Sequence, residues 1–140
     1  MAVKFQGGKA VPATNPRLAG LPQLTPAINA ALNEAEQAAR DFKDSVRNPK
    51  NDYAAGRMGP VADDYVAKMQ VVEGGGSIIF AVTSSRNAGA VLTSTTTKMQ
   101  QFKRDYPRLD AYLKKLGMRE VAVKGNRLLG AVDRLLRLTA

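Results

Sequence analysis

Three consecutive glycines, Gly74–Gly76, constrain the fold of this chain more than any other feature, because they separate two apolar runs. Before the glycines, apolar residues occupy every second position from Tyr65 to Val71, and a short, mostly apolar run, 77–84, follows the glycines. Two such runs around a glycine turn are typical of a β-hairpin. We therefore predict two antiparallel strands, with Gly74–Gly76 as a flexible finger that contacts a neighbouring subunit.

A helix is predicted to begin at Thr25. Threonine is a good N-cap, and Pro26 follows at the first helical position, where its missing N–H is not needed. From residue 28 to 46 large apolar residues recur every three or four positions, which is the period of a helix with one buried face. Glu36 and Arg40 form an i,i+4 ion pair on the opposite side.

The remaining elements follow from turn residues and from changes of period. In chain order they are a loop at 49–60, a third strand at 90–95, a helix from about 97 that Pro107 kinks or divides, a C-cap at Gly117, a fourth strand at 118–124 and a last helix capped by Asn126. This order predicts an α+β fold, in which a three- to four-stranded antiparallel sheet is packed by two or three helices.

Two regions are expected in the 140 residues. Residues 25–140 are long enough for one domain with its own core. Residues 1–24 are rich in proline and glycine and have few apolar side chains, so we predict an extended N-terminal arm that contacts another chain. Its candidate assembly contacts are Phe5, Leu18 and Leu21, together with the finger at Gly74, Gly75 and Gly76.

The predicted core consists of large apolar residues that the helical and strand periods place on one face. They are Ile28, Leu32, Phe42, Val46, Ile78, Phe80, Val82, Leu92, Phe102, Leu109, Leu113, Val121, Leu129 and Leu136.

The composition argues against catalysis. The chain has no histidine and no cysteine, and so lacks the usual neutral-pH base, the thiolate nucleophile and the common transition-metal ligands. Asp63 and Asp64 are the only adjacent carboxylates, and even with Glu73 they are too few for a defined magnesium site. We predict a protein that is not an enzyme and has no catalytic, cofactor or metal site.

Positive charge is concentrated near the C-terminus. The chain has 21 Lys and Arg against 12 Asp and Glu, a net charge of +9, and most of the excess lies in residues 98–140. Such a charge favours anionic partners, either nucleic acid or an acidic protein surface. The predicted basic surface comprises Lys98, Lys103, Arg104, Arg108, Lys114, Lys115, Arg127, Arg134 and Arg137.

The predicted order of elements over Pro26–Lys124 resembles the small head–tail connector and tail-completion proteins of tailed bacteriophages. These have a long first helix, a three-stranded region with mobile turns, a second helix and a further strand. The resemblance implies an oligomeric virion component, with Gly74–Gly76 contacting the next subunit of a ring and basic residues near packaged DNA. The order also resembles the double-stranded-RNA-binding domain, but that domain's loop histidine and Lys-Lys-x-x-Lys signature are missing here.

The sequence thus predicts a non-catalytic structural or assembly protein that forms a homo-oligomer and contacts neighbouring structural proteins, with possible sequence-independent contact to DNA. The alternative is a small nucleic-acid-binding protein that uses the C-terminal basic helices. No small-molecule substrate is expected. The longest strongly apolar run, 78–82, is too short to span a bilayer, and the N-terminus lacks a signal-peptide pattern, so a soluble intracellular or virion protein is expected.

Overall fold

The computed structural model describes residues 20–48 and 62–140, with side chains from residue 66 onward in the second range. Four helices account for most of these residues: α1 (Pro26–Ser45), α2 (Ala62–Ala88), α3 (Thr93–Lys115) and α4 (Arg119–Leu138). Across the two described ranges there is no strand, and the β-pairing is limited to an isolated bridge between Gln23 and Ala90. The predicted α+β fold is therefore wrong, and the chain is a four-helix bundle.

Neighbouring helices of the bundle run antiparallel. Across α1 and α4, Asn48 donates to Glu120 at 3.0 Å, and Asp41 accepts from Arg127 at 2.6 Å. Later residues of α1 thus meet earlier residues of α4. Short connections join α2 to α3 and α3 to α4, which is the usual geometry of antiparallel neighbours. Each helix packs against two others around the core, in the order α1, α2, α3, α4.

The predicted hairpin is a continuous helix, α2, in which Gly74–Gly76 occupy the middle. Its fully buried side chains include Ala67, Val71, Ile78 and Val82, which are spaced four, seven and four residues apart, as on one face of a helix. Gly75 lies where α2 crosses α1, because a Cβ there would be 3.0 Å from the carbonyl oxygen of Ala39. The glycines therefore permit close helix packing and do not form a turn.

Two of the predicted helix ends are confirmed. The Thr25 hydroxyl accepts a hydrogen bond from the Ile28 amide at 3.2 Å and caps α1. Gly117 has a φ of 79° after the end of α3, and the next amide, that of Met118, donates to the Leu113 carbonyl at 2.9 Å. This is the hydrogen-bond pattern of a Schellman cap. The predicted ion pair between Glu36 and Arg40 is also present, at 2.7 Å.

Four other predictions are corrected. Residues 90–95 are not a strand, since they form the connection into α3 and its first turn, and residues 118–124 belong to the start of α4. Pro107 does not divide the second predicted helix, because α3 continues through it to Lys115. Asn126 is not an N-cap; it lies inside α4, where its side chain donates to Ala122 O and to Asp110 Oδ1 at 2.9 and 2.8 Å.

Most of the predicted core is confirmed. Ile28, Leu32, Phe42, Val46, Ile78, Val82, Leu113 and Val121 are buried, and Phe102, Leu109, Leu129 and Leu136 are partly buried against them. Leu92 is half-buried. The prediction that Phe80 belongs to the core is wrong, because its side chain is 72% exposed. A strand would place residue 80 on the same face as 78 and 82, whereas two helical residues rotate it by about 200°, away from the core.

The described end of the N-terminal arm pairs with its own domain. The Leu24 amide donates to Gly89 O at 3.3 Å, and the Val91 amide donates to Pro22 O at 2.8 Å. These bonds fasten the segment before α1 to the α2–α3 connection. Residues 1–19, and with them the predicted contacts of Phe5 and Leu18, lie outside the described residues.

Gly75 and Gly76 make a matched test of the helical assignment. A Cβ at Gly76 meets no atom within 4 Å, so Gly76→Ala is expected to raise the free energy of unfolding by about 0.5–1 kcal/mol, as in an exposed helix interior. Gly75→Ala should instead lower it by about 1 kcal/mol, because Ala39 O and the Lys43 side chain must give way. Thermal unfolding followed by circular dichroism measures both. Destabilisation by Gly76→Ala would indicate a turn.

Candidate functional site

A groove of about 920 Å³ lies between α2 and α3. Along α2 it is lined from Val66 to Ile78, and along α3 from Lys98 to Lys115. Its apolar lining includes Val66, Ile78, Phe102 and Leu109. The groove therefore has a mixed lining on the α2–α3 face, in which apolar side chains lie beside polar and charged ones.

Two features determine where the groove opens. Near the α2–α3 connection a polar cluster joins the helices, since the hydroxyls of Ser85 and Thr95 lie 2.7 Å apart and Thr95 also donates to Ala81 O at 3.0 Å. Toward the other end, Gly74 and Ser77 present little side-chain volume to α3. A Cβ at Gly74 would lie 3.6 Å from the Phe102 ring.

An aromatic cluster supports the floor of the groove. Phe102 stacks on Tyr106, with ring centroids 5.2 Å apart and planes at 19°. The buried ring of Phe42, from α1, meets both rings edge-on at 6.2 and 5.9 Å. Such aromatic pairs stabilise beyond the area that they bury, and they hold Phe102 in place between the core and the groove.

Two tyrosine hydroxyls near the groove differ in their partners. Tyr106 Oη donates to Ala122 O at 3.0 Å and lies 3.3 Å from Asp110 Oδ1. Burial, and then the neighbouring Asp110 carboxylate, raise the pKa of Tyr106 well above its usual range. Tyr112 Oη is also buried, but it has no hydrogen-bond partner among the described residues. Because buried hydroxyls are normally bonded, this atom is an exception within the lining of the groove.

Three cations of the predicted basic surface line this groove: Lys98, Arg108 and Lys115. Arg108 and Lys115, seven residues apart, lie on the same side of α3, and Lys98 lies about 80° around the helix from Arg108. None of the three forms an ion pair within the described parts of the chain. On the opposite wall Glu73 is exposed, and on the α3 side Asp105 pairs with Arg104 at 3.1 Å.

Other predicted basic residues are paired within the chain at two helix seams. Between α3 and α4, Lys103 and Arg137 share the carboxylate of Asp133, and their hydrogen bonds lower its pKa. Between α4 and α1, Arg127 contacts Glu34 at 3.2 Å and also Asp41, and the hydrogen bond that Arg127 donates to Glu34 is the main reason that the pKa of Arg127 is raised.

The last two of the nine predicted basic residues lie outside the groove. Lys114 pairs with Asp110 at 3.0 Å, and Arg134 is exposed on α4. The nine residues are therefore distributed over several sides of the bundle. The part that remains unpaired and shares one concave surface is the set Lys98, Arg108 and Lys115, which we call the groove cations.

The other sequence-predicted contacts are dispersed. Gly74 lines the groove, Gly75 is buried against α1 and Gly76 lies on the outer side of α2. Leu21 is half-buried in the segment before α1. The side chains of Asp63 and Asp64 lie outside the described set. Within that set no group of three acidic side chains comes together as metal ligands.

Sequence reasoning missed Tyr112 and the groove itself. The recurrence of Phe102, Leu109 and Tyr112 beside the groove cations on one helix was the available signal. That spacing is typical of a helix face in the core and does not by itself distinguish a core face from the lining of a groove.

Comparisons with family models, curated proteins and solved structures found no match for this chain.

None of the described helices combines the length and the apolar character needed to cross a membrane.

Proposed function

We propose that this chain is a non-catalytic binding and assembly protein that recruits an anionic macromolecular partner through the groove cations. The observation that carries the proposal is the contrast between paired and unpaired charge. Asp133, Asp110 and the acids of α1 neutralise basic residues elsewhere, whereas Lys98, Arg108 and Lys115 remain available on one side of the groove. Cations that are not already paired can attract a partner without breaking contacts within the chain.

Electrostatics favour this role. Exposed ion pairs are individually weak, about 0–1 kcal/mol each, but several aligned charges raise the rate of encounter and select the sign of the partner. The net charge of +9 strengthens the attraction of any anionic surface at low salt. The absence of histidine and cysteine from the sequence supports a role without catalysis.

The proposal retains an assembly role but not the phage-connector family. The resemblance depended on three central strands and a hairpin finger, and α2 and the start of α3 occupy those positions. Homo-oligomerisation stays a prediction, which light scattering on the purified protein would test. Nucleic acid is the alternative anionic partner, favoured by the overall charge.

Reversing the groove cations tests the proposal. We expect the triple variant Lys98→Glu, Arg108→Glu and Lys115→Glu to weaken binding of fluorescent poly-glutamate by about tenfold or more, since each lost contact contributes roughly 0.5–1 kcal/mol. The control carries the same charge change outside the groove, at Arg119, Lys124 and Arg134, and should weaken binding by less than about threefold. Fluorescence anisotropy at several salt concentrations gives the affinities.

Two results would contradict the proposal. Equal losses in the two triple variants would mean that net charge alone, and not the groove, attracts the polymer. If the wild-type protein does not bind poly-glutamate but binds duplex DNA with a steep salt dependence, the nucleic-acid alternative is supported. Circular dichroism on every variant confirms that the helical bundle is intact.

A further inference from the structure

We propose that the partner is an amphipathic α-helix of another protein, which lies along the α2–α3 groove with its apolar side on the groove floor and acidic residues along the α3 side. This inference rests on the function proposed above and deepens it by naming the shape and chemistry of the partner. It is carried by the charge complementarity of the groove, by its length and by the unpartnered hydroxyl of Tyr112.

The dimensions of the groove fit one helix. The α3 wall from Lys98 to Lys115 is roughly 25 Å long at 1.5 Å per residue, which corresponds to a partner helix of about 17 residues. A cleft between two antiparallel helices is the type of surface that accepts a third helix, anchored by apolar residues at i, i+3, i+4 and i+7. Phe102 and Leu109, two turns apart on α3, provide the corresponding floor.

The charges define which edge of the partner is acidic. Arg108 and Lys115 are roughly 10 Å apart along α3, so carboxylates seven residues apart on the partner would face them both. Glu73 on the α2 wall would repel acidic residues on the other edge and favour a basic or neutral residue there. The groove therefore selects a helix with one acidic edge and disfavours a uniformly acidic one.

Tyr112 supplies a further polar group within the lining of the groove. Its hydroxyl has no partner among the described residues and is shielded from solvent, so a carboxylate or amide of the bound helix would satisfy it once the Tyr112 side chain turns toward that helix. In the free protein this hydroxyl gains nothing, and its removal should not destabilise the bundle. Tyr112→Phe consequently separates a binding role from a structural one.

A second copy of this chain and a duplex both fit the groove less well. Most acids of the described residues are already paired within their own chain, so the described part of a second copy offers few free carboxylates to the groove cations. A phosphate backbone would meet an apolar floor and the carboxylate of Glu73. Both remain outcomes of the experiment.

The experiment uses three fluorescent peptides of about 18 residues and the full-length protein. The first peptide is an amphipathic helix with glutamates seven residues apart along one edge. The second has the same composition in scrambled order, and the third has lysine in place of each glutamate. We expect the first to bind at least tenfold more tightly than the other two, and Tyr112→Phe to weaken it by about threefold or more without lowering the melting temperature.

The outcomes distinguish this inference from the proposed function. If the scrambled peptide binds as tightly as the first, the groove recognises charge alone. The inference of a helical partner is then wrong, while the proposed function stands. If neither the first peptide nor the scrambled peptide binds, and poly-glutamate does not bind either, then this inference and the proposed function are both wrong. Unchanged affinity in Tyr112→Phe, binding of duplex in place of the acidic helix, or a dimer by light scattering that the first peptide does not dissociate would each overturn the inference.

Discussion

Truncating Phe42 to Ala is expected to lower the free energy of unfolding by about 3–5 kcal/mol, whereas truncating Phe80 to Ala should change it by less than about 0.5 kcal/mol. Phe42 is completely buried, and its ring contacts those of Phe102 and Tyr106. Its loss would leave a cavity that these rings cannot fill without moving. Phe80 is 72% exposed on the outer side of α2, so its removal costs little packing.

Urea unfolding followed by circular dichroism at 222 nm measures both variants. The pair is matched in chemistry and differs only in position, which makes it a direct test of the helical period in α2. Comparable losses in the two variants would mean that Phe80 lies in the core, as a strand at 77–84 would place it. Leu113→Ala, also at a completely buried position, provides a second reference, with an expected loss of about 2–5 kcal/mol.

Substituting Gly125 by alanine is expected to lower the free energy of unfolding by about 1–2 kcal/mol, although alanine is the better helix former. A Cβ at Gly125 would meet the Tyr106 side chain, with Cε1 and Cζ only 2.5 Å away. Tyr106 is buried and held by its hydrogen bond to Ala122 O, so its ring cannot move aside without losing packing against Phe42 and Phe102. Overpacking of this kind typically costs about 1–3 kcal/mol.

Gly130→Ala is the control within the same helix. A Cβ at Gly130 meets no atom within 4 Å, so this variant should gain about 0.5–1 kcal/mol from helix propensity. The two variants make the same chemical change, and opposite signs in urea unfolding are the expected result. If both variants stabilise the protein, α3 and α4 do not approach closely at Gly125, and the packing of Tyr106 described above is incorrect.

The sequence by itself determined the features that depend on neighbours within one or two helical turns. The Thr25 cap, the Glu36–Arg40 pair and the Gly117 cap were all predictable, because each involves backbone or side-chain groups three to five residues apart. Much of the core was predictable too, since residues such as Ile28 and Leu113 are large and apolar and recur with a helical period.

The structure of residues 62–88 was decided by tertiary contacts. The apolar residues there fit a period of two as well as a helical period, and three central glycines weaken an isolated helix by about 1 kcal/mol each relative to alanine. The helix is stable in the bundle because Val71, Ile78 and Val82 are buried together and Gly75 lets α1 come close. These contacts join residues that are far apart in the chain, so the local sequence of 62–88 could not predict them.

The candidate site likewise combines features that the sequence predicts with features that only the tertiary structure decides. The sequence revealed all nine basic residues, but it could not show which of them are neutralised by acids distant in the chain. Asp133 of α4 pairs with Lys103 of α3, and Glu34 of α1 pairs with Arg127 of α4. Only the packing of the helices made these pairs and left Lys98, Arg108 and Lys115 unpaired beside the groove, because ion pairing depends on distance in space and not along the chain.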